Sequence, residues 1–191
     1  MKQQILFIHS AGAQTADDGS TGLLNHLMEA CGETYEILHP EMPHPDYPKY
    51  KAWKSSVKKA FVKLRDDVLL IGHSLGGSVL LKFLSEEASP VPVRIAGLFL
   101  IAAPYWGKKD WEVQEFALRE DFAAKLPSIP VIHLYHSRGD EFVPSDHVKE
   151  YKKRLPQAGL HEFGGNDHIF LSGLPELVQD VKNASKHGRS V

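Results

Sequence analysis

Short, unbroken apolar runs alternate with stretches of helical periodicity along the whole chain, and this rhythm narrows the possible folds more than any other feature of the sequence. Residues 5–8, 35–38, 68–71, 95–102 and 131–135 are apolar, rich in β-branched or aromatic side chains, and flanked by turn residues, so they predict strands. A weaker strand is predicted at 160–163. Between them, 23–30, 49–65, 75–87 and 145–155 carry helical spacing, and 175–186 closes the chain with another helix. Strands that are apolar at every position are covered on both faces. Strand–helix alternation of this kind gives a three-layer α/β/α sandwich around a mostly parallel sheet, here of about six strands.

Length and composition fit that picture. With 191 residues the chain suits one domain over 1–191, and no repeat or linker divides it. Hydrophobic residues make up 42% and charged residues 24%, which argues against disorder. A net charge of −2 offers no global field for nucleic acid or an anionic membrane. No apolar run reaches the roughly 18 residues of a membrane span, and the N-terminal run is too short and polar for a secretion signal, so a cytoplasmic location is expected.

One stretch breaks the rhythm. Residues 104–126, where a crossover helix is expected, hold Tyr105, Trp106, Trp111, Phe116 and Phe122. They form either a crossover helix and loop with core aromatics, or a small flap over the carboxyl edge of the sheet, where open α/β sheets bind ligands.

The chemistry concentrates at Gly72-His73-Ser74-Leu75-Gly76-Gly77. A G-x-S-x-G match gains weight when it follows a strand and opens a helix, the setting of a nucleophile elbow. Ser74 then sits on a sharp, strained turn, and the residues two before and two after it are expected to crowd each other, a demand that Gly72 and Gly76 meet by lacking a Cβ. The Leu75 N–H would lie at a helix N-terminus, where unpaired donors favour negative charge.

A serine hydroxyl needs a base, and the base needs an orienting acid. After the strand at 131–135 comes Ser137-Arg138-Gly139-Asp140-Glu141-Phe142-Val143-Pro144, in which Asp140 is the candidate acid and Glu141 and Asp146 are competitors. After the last strand comes Gly164-Gly165-Asn166-Asp167-His168, which offers His168 as the base, with Asp167 bracing the loop. His161, inside the strand, is assigned to packing or solvent contact.

These three segments, in the order serine, acid, histidine, resemble the α/β-hydrolase superfamily. GHSLGG, RGDEFVP and GGNDH are most similar to the compact serine hydrolases related to retinoblastoma-binding protein nine and its bacterial relatives. The resemblance implies a minimal α/β-hydrolase fold, Ser74 as nucleophile, His168 as general base, Asp140 as its orienter, and no cofactor. It also implies an oxyanion hole drawn from the residue after the nucleophile and from the loop after the first strand. The superfamily often has His-Gly there, whereas this chain has His9-Ser10. Leu75 and Ala11 are the expected N–H donors, with Ser10 the alternative. His9, Ser10, His73, Tyr105 and Trp106 are candidates to line the substrate site, His9 and His73 either lining or bracing it.

Other signals are discounted. The lysines of 49–65 cover the solvated face of a helix whose buried stripe is Trp53, Val57, Ala60, Phe61 and Leu64. Cys31 is alone, so it makes neither an internal disulfide nor a cysteine-based zinc site. His133 and His136, three apart on a strand, point to opposite faces. His39 and His44 lack a third partner. No metal is expected.

The chain is therefore expected to be a serine hydrolase acting on a small-molecule acyl substrate, foremost a carboxylic ester; thioesters and amides would use the same residues. Trimmed to this length, it should have an open site. The rival is a binding or regulatory protein that keeps the fold without the activity. A protein partner stays open.

Overall fold

The computed structural model describes residues 2–65, 67–86, 93–107 and 111–187. Its sheet has six strands: β1 (Gln3–Ile8), β2 (Tyr35–Leu38), β3 (Val68–His73), β4 (Ile95–Ile101), β5 (Ile132–Ser137) and β6 (Gly159–Phe163). Their order is β2-β1-β3-β4-β5-β6, and every pairing is parallel. The helices are α1 (Thr21–Cys31), α2 (Tyr50–Phe61), α3 (Leu75–Glu86), the one-turn α4 (Phe122–Lys125), α5 (Asp146–Arg154) and α6 (Pro175–His187).

The unbroken apolar runs have a simple cause. Alternate residues of each central strand enter two separate cores. Leu6, Ile8, Leu70, Leu98 and Leu100 face the side covered by α2, α3 and α5, together with Trp53, Val79, Phe83 and Tyr151. Ile5, Phe7, Leu69, Ile71, Phe99 and Ile101 face α1 and α6, together with Leu23, Leu27, Leu177 and Val181. A strand buried on both faces is apolar through its middle, and the buried polar residues of β1 and β3, Gln4 and His73, lie towards the strand ends. The stripe expected on α2 and just beyond it, Trp53, Val57, Ala60, Phe61 and Leu64, is buried, and the lysines lie outside it.

The helices and strands differ from the sequence reading mostly at their ends. Strand β3 runs two residues further, through Gly72 and His73, so the elbow follows it directly. Helix α2 stops at Phe61 rather than reaching Arg65, and Glu87, expected to end α3, lies outside the described residues.

The larger difference is at 104–126. The described parts of this segment contain a 3-10 turn over Gln114–Phe116 and the four-residue α4, not a long crossover helix. Phe116 and Phe122 are buried in the core, while Trp106 and Trp111 face the cleft at the carboxyl edge. Aromatics without helical spacing fill space from both sides of a loop; residues 108–110 lie outside the described part. Among the described residues, no helix is long and apolar enough to cross a membrane.

The strand order reverses between β1 and β3, and a crevice opens outside their carboxyl ends at such a point. The loops that flank it are the ones carrying Ser10–Ala11 and Ser74.

Candidate active site

Ser74 occupies the turn between β3 and α3 with φ +50°, a left-handed conformation that non-glycine residues seldom adopt. The turn is held by the Ser74 N–H, which donates to the Ile101 carbonyl at the end of β4 (2.7 Å). The flanking glycines are required by close approach. A Cβ on Gly72 would lie 2.5 Å from Gly77 Cα, and one on Gly76 would overlap the Ile8 and His9 carbonyl oxygens. The crowding at Gly76 therefore comes from β1 and not from its partner glycine.

His168 stands over this turn. Its Nδ1 lies 2.7 Å from Asp140 Oδ2 and its Nε2 lies 3.1 Å from Ser74 Oγ. A carboxylate only accepts, so Nδ1 carries the proton and Nε2 presents its lone pair to the Ser74 hydroxyl. Asp140 is buried and fully engaged. Its other oxygen, Oδ1, accepts from the Phe142 and Val143 N–H groups, both at 2.9 Å. Burial pushes the Asp140 carboxyl up, but the hydrogen bonds from His168 and Val143 outweigh it and hold the group below the usual aspartate value. Of the three acids near this loop, Asp140 is the one whose carboxylate reaches His168.

The loops bearing Asp140 and His168 are laced together. The Gly139 N–H donates to the Gly165 carbonyl (2.8 Å), and Ser137 Oγ donates to the Asp167 carbonyl (2.6 Å). Asp167 braces its own loop by accepting from the Phe170 N–H at 2.7 Å. His136 is buried beneath them; its Nε2 donates to the Val143 carbonyl (2.7 Å), and burial lowers its pKa, keeping the ring neutral.

A cleft of about 420 Å³ opens above Ser74 and His168. Ala11 and Leu75 border it on one side. Trp106, Trp111, Phe116 and Phe142 give it apolar walls, and Phe142 also leans over the His168 ring, 5.3 Å between centroids.

Of the residues expected to line the site, Ser10 and Trp106 do so. His9, His73 and Tyr105 stand behind it. His9 Nδ1 donates to the Ser10 carbonyl (2.6 Å) while Nε2 accepts from the Met42 N–H (2.9 Å), so the ring ties the loop after β1 to the segment after β2. Burial lowers the His9 pKa, a shift that the Ser10 carbonyl opposes. Tyr105 packs its ring on Phe122 and Tyr151, and its N–H donates to His147 Nδ1 (2.8 Å).

His73 is fully buried. Its Nε2 donates to the His168 main-chain carbonyl (2.9 Å) and its Nδ1 accepts from Ser20 Oγ (2.7 Å). Ser20 Oγ in turn accepts from the Ser10 N–H at 2.8 Å. Ser10 is thereby removed as an alternative oxyanion donor, since its N–H is already engaged. Gln14 completes the network: its Oε1 accepts from the Ser20 N–H (2.9 Å) and its Nε2 donates to Ser10 Oγ (3.2 Å).

Ser20 and Gln14 were not legible as site residues. Ser20 precedes α1 and looks like an ordinary helix cap, yet it makes no side-chain capping bond because its hydroxyl is taken by His73.

Comparison with known proteins agrees with this architecture. The family model described as serine hydrolase matches residues 24–177. No curated protein matches the chain significantly by sequence. Among solved structures, the chain is similar to the ydeN gene product from B. subtilis, with TM-score 0.82, 19% identity, and coverage of 97% of this chain and 100% of that one. It is also similar to the meta-cleavage product hydrolase CumD from Pseudomonas fluorescens IP01, with TM-score 0.72, 13% identity, and coverage of 98% and 92%. Est1E from Butyrivibrio proteoclasticus superposes with TM-score 0.71 at 16% identity, covering 97% and 88%. The structural matches carry the fold and the family match carries the class: this chain belongs to the serine hydrolase family and is built on the α/β-hydrolase fold.

Proposed function

We propose that the protein hydrolyses small carboxylic esters through an acyl-enzyme formed on Ser74. The observation that carries this reading is the unbroken line from Asp140 Oδ2 through His168 to Ser74 Oγ, at 2.7 and 3.1 Å, with an apolar cleft open above it.

The steps follow from the proton positions. Ser74 Oγ attacks the substrate carbonyl carbon as its proton passes to His168 Nε2. The imidazolium that forms is stabilised by Asp140, which stays ionised. The carbonyl oxygen gains the negative charge and is held by the Leu75 and Ala11 N–H groups, the first at the N-terminus of α3. Collapse of the tetrahedral intermediate expels the alcohol, which takes its proton from His168 Nε2. A water then gives a proton to the same nitrogen, attacks the acyl-enzyme and releases the acid, restoring Ser74.

The cleft, about 420 Å³ and walled mostly by apolar side chains, suits a small apolar acyl substrate. A p-nitrophenyl acetate assay tests the reading. Wild type should release p-nitrophenolate with saturable kinetics and an initial burst, and both Ser74→Ala and His168→Ala should lose it. A burst that persists in His168→Ala would remove that residue as the base, and activity in Ser74→Ala equal to wild type would remove the nucleophile.

A further inference from the structure

On the face of the sheet covered by α6, two histidines and an aspartate converge at a place the hydrolase chemistry does not use. His133 of β5, His161 of β6 and Asp180 of α6 each offer one ligand atom. His133 Nδ1 lies 2.9 Å from His161 Nε2, His161 Nε2 lies 3.0 Å from Asp180 Oδ2, and His133 Nδ1 lies 3.6 Å from Asp180 Oδ2. We propose that this triangle is a binding site for a first-row divalent transition cation of the zinc type.

The spacing suits such an ion. With metal–ligand bonds of about 2.0–2.1 Å, ligand atoms on a tetrahedral edge are about 3.3 Å apart and those on an octahedral edge about 3.0 Å. The three observed edges bracket both values. Imidazole nitrogens with one carboxylate oxygen select a borderline transition metal over magnesium or calcium, which take oxygen ligands.

The surroundings are built around these atoms. The residue paired with His133 on β6 is Gly159, and a Cβ there would sit 2.6 Å from His133 Nδ1, so the missing side chain makes room for the imidazole. Tyr135, paired with His161 on the neighbouring strand, stacks on the His161 ring with centroids 4.7 Å apart. Its hydroxyl donates to Asp180 Oδ2 (2.8 Å), the kind of outer contact that fixes a ligating carboxylate.

Without a cation the arrangement is poorly satisfied. Two ring nitrogens and a carboxylate oxygen point at one another, and neutral imidazoles cannot supply a proton to every contact. The side chains are 16–28% exposed, enough for a water to complete the coordination shell. A bound ion would tie edge strand β6 to β5 and α6. Strand β6 leads directly into the loop that carries His168, so the clamp would stabilise that edge of the fold without touching the reacting groups.

Within β5, His133 and His136 are three residues apart and point to opposite faces of the sheet. The relevant partners come from two later elements and share no recognisable spacing.

The experiment uses full-length, tag-free protein stripped with chelator. Zinc chloride is titrated in competition with a chromophoric chelator, and thermal unfolding is followed in parallel. Wild type should bind one equivalent of Zn²⁺ and unfold at a higher temperature with it. His161→Gln and Asp180→Asn should each weaken that binding at least about tenfold, while Ser74→Ala binds as wild type does. Failure of wild type to take up one equivalent overturns the proposal, as does uptake unchanged in both variants. If the variants do not fold, Co²⁺ added to wild type decides. A visible spectrum shifted from that of the hydrated ion, with imidazole ligation, supports the site, and the unshifted hydrated-ion spectrum overturns it.

Discussion

His73 donates a hydrogen bond to the main-chain carbonyl of His168, 2.9 Å away, from the position directly before Ser74 in the chain. The residue beside the proposed nucleophile thus holds the backbone of the proposed base. The same ring reaches through Ser20 to the N–H of Ser10, so one buried histidine joins the elbow, the base loop and the loop after β1. With Nε2–H donated to the His168 carbonyl and the Nδ1 lone pair facing the Ser20 hydroxyl, the neutral ring satisfies both partners.

Replacing His73 should therefore act on geometry. In His73→Leu the His168 carbonyl and Ser20 hydroxyl lose buried partners, at a cost of about 1–3 kcal/mol each. We expect kcat for p-nitrophenyl acetate to fall by at least about tenfold with KM little changed, since the misplaced group acts in the transition state. A variant with wild-type kcat would show that this contact does not position His168.

The charge state of His73 also sets a pH dependence. Burial, then the proximity of His168, brings its pKa down to about 3. The unfolded chain takes up a proton near pH 6.5 while the folded chain does not, so stability falls as pH drops from 6.5 towards 3. This residue contributes a slope of at most about 1.4 kcal/mol per pH unit. Urea unfolding at pH 7 and pH 5 should show a clear loss in wild type and a smaller one in His73→Gln. His9 and His136, also lowered by burial, add to the slope in both proteins. Equal losses in the two would refute the assignment.

Asp140→Asn should be far more damaging to activity than to folding. The asparagine oxygen can keep the two N–H bonds from Phe142 and Val143, which leaves the amide NH₂ facing His168 Nδ1. Nδ1 must then accept, its proton moves to Nε2, and Nε2 can no longer take the Ser74 proton. A loss of about 10³–10⁴ in kcat is expected, with a thermal midpoint within a few degrees of wild type. A loss below tenfold would contradict the tautomer assigned to His168.

The cleft walls should govern which acyl chain is accepted. Trp111→Ala removes one apolar wall, so short esters should lose roughly 10-fold in kcat/KM while longer chains lose less or gain. The check is a series of p-nitrophenyl esters from acetate to octanoate, and an identical chain-length profile in the two proteins would separate Trp111 from selectivity.

How far the sequence could be read follows the range of the interactions. The sheet was legible because burial on both faces leaves its mark inside each strand, as in the alternation of Ile5 and Phe7 with Leu6 and Ile8. The elbow was legible because its residues fall within the short run Gly72–Gly77, although the crowding that requires Gly76 comes from Ile8 and His9. The brace from Ser20 to His73 was not: these residues are 53 positions apart, and Ser20 has a common alternative role as a cap. From sequence His161 reads as a packing or solvent-contact residue of its strand, because its partners, His133 and Asp180, lie on other elements. The aromatics of 104–126 lacked a helical period, and that absence was the one local sign that they would not form a crossover helix.

The most direct measurement is labelling with a fluorophosphonate probe followed by mapping of the modified residue. Folded wild type should be labelled at Ser74 alone, Ser74→Ala should not be labelled, and His168→Ala should react far more slowly. Folded wild type that remains unlabelled, or a label carried on another residue, would contradict Ser74 as the nucleophile and leave the fold serving a binding role.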